Sequence, residues 1–93
     1  MSYDLEFTHQ ARSRLKKLDR SEAVRILKKI QWLAENAATV QHERLTNPPP
    51  SLTGVCKYRI GPYRVVYWVD HAAAKISVVD IVWRRERYKT LYR

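Results

Sequence analysis

The chain has few of the residues that cross-link or interrupt small proteins. Its 93 residues include one cysteine, Cys56, two glycines and four prolines. A single cysteine excludes an internal disulfide and a zinc site built from cysteines. So little glycine and proline argues against a disordered or low-complexity chain. No apolar run has the length of a bilayer span, and the first residues lack a signal peptide, so we expect no membrane association and a cytoplasmic location.

Acidic residues are also scarce, with 9 Asp and Glu against 18 Lys and Arg, which gives a formal net charge of +9. The excess is uneven, because residues 55–93 carry a net charge of +6 and residues 1–54 a net charge of +3. A general solubility role accounts for the total better than for this asymmetry. The charge therefore indicates a polyanionic partner that binds mainly the second half of the chain.

The first half predicts one strand and two helices. Residues 3–7 alternate apolar and acidic side chains, which is typical of a short, half-buried strand. Thr8 can cap an amphipathic helix near 9–18, and Asp19 or Ser21 can cap a second helix after a short turn. Two such helices so closely joined should form a hairpin. The second helix has apolar residues at helical spacing: Ala23, Ile26, Leu27, Ile30, Leu33 and Ala34.

The second half predicts a sheet. Residues 36–54 include a run of three prolines and form a connecting loop. Strands follow near 54–60, 63–69 and 75–83, and their short connections favour antiparallel pairing. We therefore predict an α+β fold in a single domain over residues 1–93. The N-terminal strand is one of four strands in a mainly antiparallel sheet, a two-helix hairpin packs on one face of that sheet, and a basic C-terminal tail follows.

Strand alternation places three cations on one face of this sheet. Lys57 and Arg59 share a face of one strand, Arg64 extends the same face on the next, and the apolar alternates, Cys56 among them, face the helices. Such cations repel one another unless an anion binds between them, although exposed strands also carry Lys and Arg to block edge pairing. Interleaved Arg and Tyr in the tail favour nucleic acid. These tail residues are Arg84, Arg85, Arg87, Tyr88, Lys89 and Tyr92.

Two segments resemble the RelE/ParE toxin superfamily. The first is Leu45 followed by Gly54-Val-Cys-Lys57-Tyr-Arg59-Ile-Gly61-Pro-Tyr63-Arg64-Val-Val-Tyr67, which is similar to the family pattern of Leu, Gly, two spaced basic residues and Gly-x-Tyr-Arg-Val-hydrophobic-Tyr. The second is Val82-Trp83-Arg84-Arg85-Glu86-Arg87-Tyr88, a weaker likeness to Gly-His-Arg-x-x-Val-Tyr. The resemblance implies a toxin that cuts mRNA on the ribosome without a metal or other cofactor. It also implies a cognate antitoxin protein.

The resemblance implies a reaction in which a ribose 2′-OH attacks the adjacent phosphate, and it gives the site residues roles in that reaction. Lys57 is the candidate base, since a lysine among other cations is more readily neutral, and Arg59 and Arg64 would clamp the phosphate. Arg84 or Arg85 would assist protonation of the leaving 5′-oxygen or would form a second clamp on the phosphate. Tyr88 or Tyr92 would stack on a base or orient the 2′-OH, because the tail aligns with the family either as Arg84 with Tyr88 or as Arg85 with Tyr92.

Other readings of the same residues stay open. Trp83 stands where many members carry histidine, so members with a histidine acid-base pair are poor guides. His9, His42 and His71 fall in helix-start or loop positions and are expected to be surface residues. The alternatives are a ParE-like poison of DNA gyrase, a non-catalytic nucleic-acid-binding module that uses the same face, and a toxin relic that binds only its antitoxin.

Overall fold

The computed structural model describes residues 2–83, which form two helices and a five-stranded sheet. The elements in chain order are β1 (Asp4–Phe7), α1 (His9–Lys16), α2 (Arg20–Glu35), β2 (Glu43–Arg44), a 3₁₀ turn (Pro50–Leu52), β3 (Cys56–Ile60), β4 (Tyr63–Asp70) and β5 (Lys75–Trp83). The strand order is β1-β5-β4-β3-β2, and β1 pairs parallel with β5 while the other pairs are antiparallel. The α+β class and the mainly antiparallel sheet are confirmed.

The sheet has five strands instead of four, because part of the segment predicted as a loop joins it. β2 pairs with β3, with Glu43 opposite Lys57 and Arg44 opposite Cys56. Two residues are too few to show the alternation by which strands are recognised in a sequence. This short edge strand nevertheless brings a carboxylate beside a predicted site residue.

The helical hairpin covers one face of the sheet, as predicted. Thr8 caps α1, since its hydroxyl accepts a hydrogen bond from the Ala11 backbone N–H at 3.1 Å. The same hydroxyl donates to the Val79 carbonyl at 2.7 Å and ties the start of α1 to β5. The main apolar cluster joins buried residues of both helices to one face of β3, β4 and β5: Ala11, Ile26, Ile30, Leu33, Ala34, Cys56, Ile60, Val65, Tyr67, Ile76, Val78 and Ile81.

A β-bulge interrupts the pairing of β4 with β5. Tyr67 lies opposite Val78 and Val66 lies opposite Asp80, so Val79 is an extra residue in β5. The Asp80 side chain is fully buried and accepts hydrogen bonds from Gln10 and from Arg14 of α1, the latter at 3.1 Å. The bulge therefore coincides with a polar link that holds α1 on the sheet.

The face opposite the helices is only partly open. Leu45, Val55, Val66 and Val82 form a second apolar cluster there, against which Leu52, Trp68 and Val79 pack. The segment between β2 and β3 thus covers one end of this face. The face is covered there because the apolar residues that alternate with the cations need their own cover. Within residues 2–83, no helix combines the length and apolar character needed to cross a membrane.

Candidate functional site

Lys57, Arg59 and Arg64 lie on the sheet face opposite the helices, and we call these three residues the cationic face. Arg59 is directly opposite Arg64 across β3 and β4. Lys57 is opposite Val66, which makes Arg64 its diagonal neighbour. Such pairs have Cβ atoms about 5 Å apart when directly opposite and about 7 to 8 Å apart on the diagonal. The predicted convergence of these cations is therefore observed.

A two-residue loop holds β3 and β4 in this pairing. Gly61 and Pro62 join Ile60 to Tyr63, and Gly61 has a φ of +57°. Two-residue hairpin loops require positive φ at the first central position, where glycine carries no Cβ penalty. Because the loop is so short, it fixes the register that sets Arg59 opposite Arg64.

The three cations differ in their surroundings. Arg59 is exposed, whereas Arg64 is partly buried and its Nη1 atom is fully buried. The side chain of Lys57 is 22% exposed. Two of the three cations are thus held against the protein, which fixes them in place before a ligand arrives.

Glu43 adds an acidic group that the sequence did not single out. Its Oε2 atom lies 3.7 Å from the Lys57 Nζ atom, and its side chain is 73% exposed. The pairing of β2 with β3 creates this contact, so no spacing in the sequence reveals it. A carboxylate and an ammonium beside two guanidinium groups can together bind an anion and exchange a proton with a bound hydroxyl group.

The other predicted site residues lie outside the described residues. These are Arg84, Arg85, Tyr88 and Tyr92, all of which follow β5. The last described residue, Trp83, is opposite Tyr63 at the end of β4 and is 41% exposed. Val82 precedes it and lies opposite Arg64. The described part of the chain therefore ends one residue after Val82, the cross-strand partner of Arg64.

His42 is held by hydrogen bonds within the fold, contrary to expectation, whereas His9 and His71 are exposed, as expected. His42 Nε2 lies 2.8 Å from the Ala37 carbonyl oxygen, so it carries the proton, and His42 Nδ1 accepts from the Tyr67 hydroxyl at 2.6 Å. His71 Nδ1 lies 2.7 Å from the Tyr3 hydroxyl. A loop position predicts a surface residue, but the hydrogen bonds of His42 link the segment after α2 to the buried Tyr67 of β4.

Burial raises the pKa of two groups on the helix-covered side of the sheet, Tyr67 and Cys56. The Tyr67 hydroxyl has a raised pKa mainly because it is buried, with Cys56 and Tyr58 adding to the effect. Burial also raises the pKa of the Cys56 thiol, which nearby Arg44 opposes. A thiol held in its neutral form is a poor nucleophile, in agreement with the prediction that Cys56 is a core residue. Within residues 2–83, no group of three or more His, Cys, Asp and Glu side chains is placed to hold a metal ion.

Comparison with known proteins agrees with this architecture. The fold is similar to a chain of the toxin–antitoxin complex RelBE2 from Mycobacterium tuberculosis, with a TM-score of 0.74 and 22% identity over 92% of this chain and 95% of that one. The intact Escherichia coli RelBE complex gives a TM-score of 0.70 and 23% identity over 92% and 100% of the two chains. The archaeal RelE–RelB complex from Pyrococcus horikoshii gives 0.69 and 21% over 92% and 99%.

Sequence comparison identifies the family. No curated protein matches the chain significantly. Residues 5–88 match the family model described as the ParE toxin of type II toxin–antitoxin systems, parDE. This match spans nearly the whole chain, including the cationic face and both helices. The chain therefore belongs to the ParE toxin family of type II toxin–antitoxin systems, within the RelE/ParE superfamily.

Proposed function

We propose that this toxin is an endoribonuclease that cuts mRNA on the ribosome and thereby stops translation. The observation that carries the proposal is the convergence of Lys57, Arg59 and Arg64 on one sheet face with Glu43 beside Lys57. Three cations suit a phosphodiester, and a carboxylate adds proton chemistry that simple phosphate binding does not need. A solubility role accounts for neither the partial burial of Arg64 nor this grouping.

The proposed reaction needs only groups of the protein and the RNA. The ribose 2′-OH gives its proton to a base, and its oxygen forms a bond to the adjacent phosphorus. The bond from phosphorus to the 5′-oxygen breaks, and that oxygen takes a proton from an acid. The products are a 2′,3′-cyclic phosphate and a 5′-OH, and no metal ion or other cofactor takes part.

The residues divide these tasks by their chemistry. Arg59 and Arg64 stay protonated and would bind the phosphate oxygens as charge builds on them. Lys57 would accept the 2′-OH proton, and Glu43, 3.7 Å away, is a second group able to accept it. In the tail, Arg84 or Arg85 would assist the leaving oxygen or form a second clamp, and Tyr88 or Tyr92 would stack on a base or orient the 2′-OH.

Induced expression in growing cells tests the proposal. We expect growth to stop with loss of protein synthesis and new 5′-OH ends in mRNA within ribosome-bound codons. Lys57→Ala and Arg64→Ala should relieve the arrest while the proteins remain folded by circular dichroism. Arg12→Ala, which removes an exposed cation on α1, is the matched control and should remain toxic.

A chemical test on purified ribosomes examines the reaction itself. We expect ribosomes programmed with mRNA that carries a single 2′-deoxynucleotide at the cut codon to resist cleavage, because the nucleophile is missing. Unmodified mRNA should be cut to a 2′,3′-cyclic phosphate. Cleavage of the deoxy-substituted message at the same bond would contradict 2′-OH attack.

Poisoning of DNA gyrase is the second candidate, and the matched family model of ParE toxins favours it. In that case translation would continue after induction while replication stalls and DNA breaks accumulate. A non-catalytic binding module would instead show graded losses across the cationic face, whereas a nuclease loses activity steeply at one or two positions. A relic that binds only its antitoxin would leave growth unchanged.

We propose a cognate antitoxin as the protein partner. The similar chains from Escherichia coli and Pyrococcus horikoshii come from complexes with RelB. The excess of positive charge predicts an acidic partner. Co-expression of a short acidic protein encoded beside the toxin should restore growth, and the two should purify together as a complex. We expect the pair to act in the cytoplasm, with residues 1–93 forming one toxin domain.

A further inference from the structure

A small pocket lies around the end of the sheet from the cationic face. It has a volume of about 210 Å³ and is lined by Arg14 of α1, by Lys17 and Leu18 just after this helix, and by residues of β4 and β5: Tyr63, Ile81, Val82 and Trp83. It combines two aromatic rings with two cations. Tyr63, Val82 and Trp83 lie in the segments that carry the family resemblance, but the sequence assigned no pocket to them.

The aromatic side of the pocket is built from a cross-strand pair. Trp83 lies opposite Tyr63 and remains 41% exposed. Tyr63 packs against the main apolar cluster, and its hydroxyl feels the charge of Glu22, which pairs with Arg25 at 2.9 Å. Burial, followed by the charge of Glu22, raises the pKa of the Tyr63 hydroxyl, which therefore remains neutral. The pocket thus has one fixed aromatic wall and one large ring with an open surface.

The two cations that line the pocket, Arg14 and Lys17, differ in their surroundings. Arg14 is fixed by its ion pair with Asp80 at 3.1 Å, and Lys17 is exposed at the end of α1. The acidic groups Asp19 and Glu22 act on Tyr63, where Arg25 offsets the charge of Glu22. A ligand phosphate would therefore lie toward Lys17.

The pocket is continuous with the proposed cleavage site along the chain. Tyr63 precedes Arg64 on β4, and Trp83 follows Val82, the partner of Arg64. One strand residue advances about 3.3 Å, so the pocket begins within a nucleotide's length of the phosphate that Arg64 would hold. Because neighbouring residues face opposite sides, an RNA strand would pass around the end of the sheet to reach it.

We propose that this pocket binds a nucleotide next to the cleaved linkage, with its base stacked on Trp83 and its phosphate on Lys17. The ligand class is a single-stranded RNA nucleotide, for which aromatic rings beside cations are the common recognition elements. The assignment rests on the proposed ribonuclease function, but it concerns binding of the strand and not the chemical step.

Equilibrium binding of a short, uncleavable 2′-O-methyl RNA, followed by fluorescence anisotropy, tests the pocket. We expect Trp83→Ala to weaken binding about tenfold and Trp83→Phe to retain most of the affinity, because a single base-aromatic stack has an effect of this size. Lys17→Ala should weaken binding and reduce its salt dependence. Trp32→Ala is the matched control, because Trp32 is 46% exposed on α2 and should not contact the strand.

A base-deletion series makes the test specific. The series consists of RNAs that each lack one base. Removal of the base that stacks on Trp83 should lower the affinity of the wild-type protein. The same removal should not change the affinity of Trp83→Ala, because that variant already lacks the ring on which the base stacks. Equal losses for Trp83→Ala at every position, an effect of Trp32→Ala as large as that of Trp83→Ala, or no binding by the wild-type protein would overturn the proposal. Specific stacking without cleavage on ribosomes would retain this site and reject the nuclease.

Discussion

Arg59 and Arg64 are the same residue type in directly opposed positions, yet their surroundings give them different expected roles. Arg64 is partly buried with its Nη1 atom covered, while Arg59 is exposed. A cation already fixed in place loses less freedom when the charged transition state forms, so it stabilises that state more.

We therefore predict that Arg64→Ala lowers single-turnover cleavage on programmed ribosomes by about 100-fold. Arg59→Ala should lower it by less than about tenfold, because an exposed arginine is ordered only when the RNA binds. Arg64→Lys should recover little activity, since an ammonium cannot reproduce the planar guanidinium. A loss at Arg59 equal to that at Arg64 would show that burial does not determine their contributions.

Glu43 gives a second prediction at this scale. Its contact with Lys57 is an exposed ion pair at 3.7 Å, and such pairs contribute less than about 1 kcal/mol to stability. Glu43→Gln should therefore hardly change the melting temperature, and it distinguishes the two candidate bases: if Glu43 and not Lys57 takes the 2′-OH proton, cleavage should fall by about 100-fold, the usual contribution of general base catalysis. Glu6→Gln removes another exposed carboxylate, paired with Lys75 at 3.1 Å, and should leave cleavage unchanged. Full activity of Glu43→Gln would leave Lys57 as the candidate base among residues 2–83.

At the scale of elements, hydrophobic periodicity predicted both helices and all strands longer than two residues. The predicted helix near 9–18 is α1 with its following turn, and the strand near 75–83 is β5. The same alternation placed Lys57, Arg59 and Arg64 on one face. It could not reveal β2, which is too short for a period, and so it missed Glu43.

The β-bulge is a second feature that alternation could not reveal. In a regular strand Ile76, Val78, Asp80 and Val82 would share one face. In the structure Ile76 and Val78 belong to the main apolar cluster with Ile81, while Val79 and Val82 belong to the second cluster. The extra residue shifts the alternation, and the contacts of Asp80 with α1 depend on packing between segments far apart in sequence.

The link between β5 and α1 predicts a large effect of one substitution. Asp80 is fully buried and accepts hydrogen bonds from Gln10, Arg14 and the Ile81 N–H. Asp80→Asn keeps the volume but removes the charge that these donors share, so the free energy of unfolding should fall by about 2 to 3 kcal/mol. Urea denaturation measures this change. Glu6→Gln, which breaks an ion pair whose carboxylate is 59% exposed, should lower it by less than about 1 kcal/mol. Equal losses would mean that the Asp80 link contributes no more than a surface pair.

For the molecule as a whole, the two faces of the sheet have different tasks. The helices bury one face, which contains Tyr67 and Cys56. The other face carries the three cations and the second apolar cluster side by side, with Val66 opposite Lys57 and Val82 opposite Arg64. Because the apolar groups that stabilise the fold lie mostly under the helices, substitutions among the cations on the other face can test function with little effect on folding.

The buried face sets how stability depends on alkaline pH. Burial is the largest cause of the raised pKa values of Cys56, Tyr63 and Tyr67, so the folded chain keeps protons that the unfolded chain releases above the ordinary values of 9.0 for the thiol and 10.0 for the phenols. Stability is therefore fully present below about pH 8 and should fall as pH rises above 9, by up to about 1.4 kcal/mol per pH unit for each group. Urea denaturation between neutral pH and about pH 11 measures this decline.

Tyr67→Phe separates ionisation from packing in that measurement. The variant loses the hydrogen bond to His42, so it should be less stable at neutral pH, but its stability should fall less steeply above pH 10 because no buried phenol remains at this position to resist ionisation. Tyr3→Phe also removes a contact between tyrosine and histidine, at 2.7 Å to His71, and should keep the steep decline. If Tyr67→Phe declines as steeply as the wild-type protein, the alkaline loss must come from groups other than the Tyr67 hydroxyl.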